Sequence, residues 1–444
     1  MAVGGRLRAF LPAAFFTARQ GCIERGKTMF DELTLKNGLR LVGERLPYVR
    51  SCTVGVWVKV GSMNEAPEEN GLSHLIEHMV FKGTESRSAR DIAEEMDAVG
   101  GQLNAFTGKD CTCYYAKVID EDLPLAVDIL SDLALRPVFD AGELQKERGV
   151  VLEEIAMVED TPEDLVHELL AEVEYSGSLQ YPILGTGKRI RAYGRDALVE
   201  YWKRHYVPGK MVLAVAGNYD WDAFVALAEK FMGDAVGEGD SDTDAAPQHF
   251  LSGRKAKKKD TEQLHICMGY PGIAMGEDDL YPLSVFNNIL GGGMSSRLFQ
   301  RIREELGMAY SVYTYPSSHP GCGVFNVYAG TSPDNAEVVL RELQEQMELL
   351  LREGMTEKEF ISAKAQLRGS FVLGLESSSG RMQSIGRSTL LLNRLNDPEE
   401  QMKKIDAVTR EDVLRVGAGV LEGTPSAAVV GKDAKRFLGM IGGR

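Results

Sequence analysis

Gly71-Leu-Ser-His74-Leu-Ile-Glu77-His78-Met-Val-Phe-Lys-Gly-Thr84 is the stretch from which the organisation of this chain can be read. Leu72 to Phe81 reads as a helix. On a helix, positions i, i+3 and i+4 share one face, so His74, Glu77 and His78 project the same way. Two imidazoles one turn apart can chelate zinc through ring nitrogens. A carboxylate beside them need not bind metal. It can take the proton of a water whose pKa the metal has lowered.

A third ligand is then expected from another helix, and Glu147-Arg-Gly-Val-Val-Leu-Glu153-Glu154-Ile-Ala-Met offers three carboxylates. Glu154 follows Val150 and Val151 by one turn and precedes Val158 by one. It therefore falls in the apolar stripe expected to pack inward, where an unpaired carboxylate is costly and coordination to a metal removes that cost. Glu147 lies two turns earlier on the same stripe, placed to orient a ligand from behind. Glu153 points to a different face and is expected to be solvated or salt-bridged.

Around these stretches the pattern is regular. Leu33 to Glu44 reads as a hairpin turning at Asn37-Gly38, and Thr53 to Val60 as a β-rich run ended by Gly61. Ser88 to Val99 is helical, stopping at Gly100-Gly101. Asn104 to Val118 reads as paired strands and Leu123 to Leu135 as an amphipathic helix. Asp140 with Glu143 has the form of a capping box opening a helix to about Val158, and Thr161-Pro162 starts the next. Met211 to Ala216 is a buried type of strand, followed by a helix from Trp221 to Met232. Gly233 to Lys259, acidic and then basic with Arg254-Lys-Ala-Lys-Lys-Lys259, lacks apolar periodicity and reads as a solvated linker.

The second half repeats the first in pattern. The run beginning Tyr115-Ala-Lys-Val matches that beginning Tyr328-Ala-Gly-Thr, and Glu77-His78-Met79-Val80 lines up with Asn287-Asn288-Ile289-Leu290. The expected fold is α+β: two homologous domains, each a mostly antiparallel sheet packed with helices. The divisions fall at 1–28 (an extension), 29–233 (the half with the His pair), 234–259 (linker) and 260–444 (the second half). Where His74, Glu77 and His78 would fall, the second half has Ser284, Asn287 and Asn288. No acid occurs from Phe360 to Leu375, near where a counterpart of Glu154 belongs. That half is expected to bind rather than to hold metal. His167, His205, His249, His265 and His319 lack metal spacing and read as surface or core histidines.

Composition sets the outer bounds. With 444 residues, 44% hydrophobic and 26% charged, the chain has an ordinary globular balance and length for several folded units. Its 50 Lys+Arg against 65 Asp+Glu leave a net charge of −15, which argues against a nucleic-acid surface and favours attraction of basic ligands. No apolar run reaches the roughly 18 residues of a membrane span. The 6 cysteines include no CxxC pair and read as reduced cytosolic thiols, so a cytoplasmic location is expected. Residues 1–28 carry five basic residues against one acid, Glu24, around a short apolar stretch from Phe10 to Phe16. The preferred reading is a disordered tail or a start-site artefact, with translation beginning at Met29; an Arg-rich presequence is the alternative.

The order His-x-x-Glu-His inverts the His-Glu-x-x-His zinc motif and is an inverzincin signature. With Gly71 to Thr84 and Glu147 to Ile155, the chain resembles the inverzincin metallopeptidases of the pitrilysin and insulin-degrading-enzyme family. It is most similar to the mitochondrial-processing-peptidase-like subgroup, with two homologous domains per chain. The resemblance runs from Met29 to the C-terminus. It implies a zinc endopeptidase of extended or unfolded peptides, with one Zn2+ per chain on His74, His78 and Glu154. Glu77 would be the general base and Glu147 the acid behind a ligand. Leu103 to Tyr115 resembles the family's edge strand, to which a peptide adds by backbone pairing, with Asn104 and Ala105 as contacts. Leu290 to Tyr310 is similar to the segment that supplies an arginine and a tyrosine to substrate, assigned here to Arg301 and Tyr310. Arg297, Arg303 and Tyr313 remain open rivals. The resemblance also implies a homodimer, or a heterodimer with a metal-free homologue. A noncatalytic scaffold subunit is the alternative from another class, although a scaffold has no need of His74, Glu77, His78 and Glu154. A zinc hydrolase of non-peptide substrates is a third.

Overall fold

The computed structural model describes residues 29–237 and 247–442. The expectations for 1–28 and for the middle of the linker lie outside them. β1 (Met29–Thr34) and β2 (Arg40–Arg45) form the first hairpin, with Thr34 opposite Arg40. Gly38 sits in its turn at φ +91°, a backbone conformation that favours glycine. β3 (Ser51–Val58), β4 (Gln102–Thr107), β5 (Thr112–Ile119) and β6 (Met211–Gly217) complete a sheet in the order β1-β2-β6-β3-β5-β4. β2 and β6 are its one parallel pair.

The second sheet contains β7 (Arg254–Lys258), β8 (Leu264–Pro271), β9 (Ala309–His319), β10 (Cys322–Thr331) and β11 (Ser426–Gly431), ordered β7-β11-β8-β10-β9. Its one parallel pair is β7 with β11. Without β1, the two orders match strand for strand, and Tyr115 on β5 corresponds to Tyr328 on β10. The internal repeat is thus a repeat of topology, and the class is α+β as expected.

The helices of the first half include α1 (Leu72–Val80), α2 (Ala89–Ala98), α3 (Leu123–Leu135), α4 (Ala141–Asp160) and α5 (Pro162–Glu174). α1 and α3 press Leu75, Ile76, Met79, Val127 and Leu130 onto the face of β3 that carries Val54, Val56 and Val58. Alternate strand residues point the other way, so Trp57 faces a second core. What covers that second face comes from the other half of the chain. Met382, Ile385 and Leu390 of the helix Ser378–Leu392 pack with Trp57 and Val212. In return, Leu165, Val166, Leu169 and Leu170 of α5 cover Cys267, Tyr328, Ala428 and Val430 of the second sheet. Each half therefore lends a helix to the other, and neither sheet is covered on both faces by its own half alone.

Two expectations need correction. The basic run at the end of the expected linker is a strand, β7, at the edge of the second sheet. Its lysines hide the strand from a reading of apolar periodicity, because an edge strand is protected by charge rather than buried. Lys255 and Lys257 pair with Glu172 on α5 and Glu159 on α4. The capping box at Asp140 is one-sided. Asp140 accepts from the Gly142 and Glu143 amides at 2.8 and 3.0 Å, but the Glu143 side chain pairs with Lys146.

Candidate metal centre

α1 places its chemistry by burying the opposite face. Leu72, Leu75, Ile76, Met79 and Val80 are buried, which turns His74, Glu77 and His78 outward together. Its first turn has no side-chain cap of its own. Buried Glu65 replaces it, with Oε1 accepting from the Ser73 amide and Oε2 from the Gly71 amide, both at 2.8 Å. A carboxylate there satisfies free amides and complements the helix dipole. Ser73 Oγ lies 2.9 Å from the Tyr201 hydroxyl, tying the same turn to the core.

α4 packs against α1 through buried Leu144 and Val151, and it brings Glu154 to the histidines. Glu154 Oε2 lies 3.6 Å from His74 Nε2, and Oε1 lies 3.7 Å from His78 Nε2. One ligand atom from each of the three residues lies within 4.8 Å of the others, and this is the one such cluster of three or more His, Cys, Asp or Glu among the described residues. Ligands about 2.0–2.2 Å from a tetrahedral zinc stand roughly 3.3–3.6 Å from one another, so these separations suit a shared ion. Glu154 is 35% exposed, yet its Oε2 atom is buried without a hydrogen-bond partner. An orphaned carboxylate oxygen facing two imidazoles calls for a cation. The donor set fits zinc.

The expected inward stripe around Glu154 is only half realised. Val151 is fully buried, but Val150 is 43% exposed, so α4 rolls Glu154 to the border of core and solvent. That is where a ligand that must meet a substrate belongs.

Behind the histidines, buried Glu147 sets its Oε2 3.1 Å from His78 Nδ1 and its Oε1 2.8 Å from Lys82 Nζ. A carboxylate on Nδ1 fixes the tautomer that leaves Nε2 free as a ligand. Burial and the neighbouring His78 hold His74 down to about 4, so its imidazole stays neutral, the form that binds metal. Glu77 projects beside the pair, and its Oε2 accepts a hydrogen bond from the Thr107 hydroxyl. Burial pushes the Glu77 carboxyl above its ordinary value, opposed by the Thr107 bond and by His78.

β4 is the terminal strand of its sheet on the side next to α1. Asn104 is exposed there, and its Oδ1 accepts from the Ala105 amide at 2.8 Å. The Ala105 N–H thus lies on the outer edge, met by a side chain and not by β5.

The equivalent place in the second half holds no metal donors. Ser284 donates to Leu280 O at 2.8 Å, Asn287 Oδ1 accepts from Thr314 at 2.8 Å, and Asn288 donates to Ala363 O at 3.2 Å. No hydrogen bond or ion pair among the described residues joins Arg301 or Tyr310 to the histidines. Arg301 is held by Glu342 and Glu305, each at 2.9 Å. Tyr310 is 72% exposed, with the Arg303 guanidinium 4.8 Å above its ring. Among the rivals, Arg297 pairs with Glu359 at 2.6 Å, and the Tyr313 hydroxyl lies 3.1 Å from His167 Nε2. Lys82 and Thr107 went unread in the sequence. Lys82 carries a weak signal, four positions after His78 in the turn that follows α1, whereas Thr107 meets Glu77 only through the packing of β4 on α1.

Comparison with known proteins agrees with this architecture. Residues 40–187 match the family described as insulinase (peptidase family M16), and residues 193–367 match the peptidase M16 inactive domain. The chain is 44% identical to an uncharacterized zinc protease of Bacillus subtilis, over 87% of this chain and 94% of that protein. It is 42% identical to one from Streptomyces coelicolor, over 93% of each. In fold it is similar to a protease from Helicobacter pylori, with TM-score 0.86, 22% identity and coverage of 90% of this chain and 99% of the other.

Proposed function

The chain belongs to the insulinase family, peptidase family M16, and on that premise we propose that it is a zinc-dependent endopeptidase of extended or unfolded peptides. The observation that carries the proposal is the meeting of His74, His78 and Glu154 around one point, with Glu154 Oε2 buried and unpartnered. The names of the relatives from Bacillus and Streptomyces support zinc as the ion. Zinc bound there supplies a lowered water pKa and polarisation of the scissile carbonyl.

The chain's own residues do the rest. Glu77 takes the proton of the attacking water and returns it to the leaving amine; one of its oxygens is occupied by Thr107 and the other is free. Glu147 keeps His78 turned with Nε2 toward Glu154. The outer edge of β4 accepts a peptide as an added strand, with Ala105 giving its amide and Asn104 moving aside. Backbone pairing of this kind selects extended chains over folded ones and reads side chains loosely. The net charge of −15 favours basic peptides.

The second half, without metal donors, serves as a binding surface. The proposal extends to a processing-peptidase-like pair of chains facing one another, either two copies or one copy with a metal-free homologue. It extends also to a cytoplasmic location, supported by the five described cysteines being buried and free. Incubating an unfolded peptide with native and Glu77→Gln protein of measured metal content tests the central reading. Cleavage by the native chain alone, with both proteins carrying metal, supports it; equal cleavage by both, or none by the metal-loaded native chain, refutes it.

A further inference from the structure

We propose that Thr107 is a positioning residue for Glu77, holding the carboxylate so that only one of its oxygens faces the reacting water; this rests on the peptidase reading above. Thr107 is the last residue of β4, and its hydroxyl donates to Glu77 Oε2 across the gap between strand and helix. A glutamate at the border of a cleft has three side-chain torsions, and only a fraction of its rotamers point the carboxylate at a water on the metal. A fixed donor on one oxygen removes most of that freedom. It also leaves the second oxygen as the one available proton acceptor.

The donor is itself held in place, which a positioning role requires. Immediately after Thr107 the chain turns tightly, with the Gly108 amide donating to Cys111 O at 2.8 Å. The amides of Ser62 and Met63 then pin the turn, donating to Gly108 O at 3.3 Å and Lys109 O at 2.8 Å. The Lys109 ammonium reaches Tyr181 O, and Asp110 accepts from Arg387 of the second half at 2.8 Å. Three successive residues, Gly108 to Asp110, are thus anchored to three separate segments, and the Thr107 hydroxyl is the group this assembly presents to Glu77. The second half keeps a comparable link between neutral groups, Thr314 to Asn287 at 2.8 Å, so the test must separate orientation of a base from support of a helix.

Thr107→Val keeps the shape and removes the hydroxyl, whereas Thr107→Ser keeps the hydroxyl. With zinc-loaded protein and an unfolded peptide, Thr107→Val is expected to lower kcat roughly 10- to 100-fold, with KM and zinc affinity within about twofold of native. Thr107→Ser is expected to recover most of the loss, and the melting temperatures of all three to stay close. Native kcat in Thr107→Val overturns the proposal, as does a loss in both variants that tracks their melting temperatures. Crystal structures of native and Thr107→Val protein give a readout independent of activity. A Glu77 carboxylate in the same single rotamer in both overturns the proposal even if the native chain cleaves nothing, which by itself would count only against the peptidase reading.

Discussion

Glu147 Oε2 sits 3.1 Å from Nδ1 of His78 and so decides which nitrogen of that ring faces the cluster. Its other oxygen is neutralised by Lys82 at 2.8 Å, which lets a carboxylate remain buried behind a metal ligand. The arrangement gives the candidate metal centre a support drawn from two helices, α1 and α4.

Removing that charge while keeping the shape should loosen the metal without abolishing the site. Glu147→Gln is expected to weaken zinc binding about 10- to 100-fold, read by competition with a chromophoric chelator. Affinity unchanged from native would mean that His78 is oriented by something else.

The edge of β4 offers a backbone test. The Ala105 N–H points away from β5, so proline there removes no ladder bond and is tolerated at an edge. Ala105→Pro should leave the melting temperature near native and raise KM for an unfolded peptide by roughly 3- to 10-fold, the value of one net hydrogen bond. An unaltered KM in a folded variant would remove β4 from the substrate path.

The exchange of helices between halves rests on a close approach at Gly386. The Cβ that Gly386 lacks would lie 2.2 Å from Trp57 Nε1, and Met382 on the same helix accepts from that indole at 3.3 Å. Gly386→Ala forces the helix off the first sheet and should cost about 1–3 kcal/mol, seen as a lower urea midpoint. A native midpoint would show that the two halves are not coupled through this contact.

Glu174, at the end of α5, gives a pH dependence of stability. Its Oε2 is buried without a hydrogen-bond partner, near Asn326, and burial raises its carboxyl to about 8, against the pull of Asn326 and Lys109. Between the ordinary value of 4.5 and about 8 the folded chain keeps a proton that the unfolded chain has released. Its contribution to stability is therefore full below that interval, falls as pH rises through it and levels off above. Glu174→Gln stays neutral throughout, so its urea midpoint should fall less than that of native protein from pH 5 to pH 8. Parallel curves would show that Glu174 is ionised in the folded chain.

The legible parts of this chain are those whose signal is local. The helix read from Leu123 to Leu135 is α3 residue for residue, because its apolar spacing and proline near the first turn lie within it. His74, Glu77 and His78 were legible for the same reason, as one face of one helix. Relations made by packing were not. The stripe of Leu165, Val166, Leu169 and Leu170 announces a buried helix, but nothing in it says that the partner is the second sheet. β7 escaped because charge, not apolar alternation, marks an edge. Arg301 reads as an exposed arginine in a substrate-contacting segment, yet Glu342 on a distant helix holds it. Thr107 carries no signal until β4 and α1 are laid side by side.

The most direct test is a titration of metal-free protein with zinc, scored by cleavage of an unfolded basic peptide. Activity should rise linearly and break at one zinc per chain for native protein, while Glu77→Gln binds the same equivalent and stays silent. Activity that is indifferent to zinc, or a metal-free chain as active as the loaded one, would contradict the account.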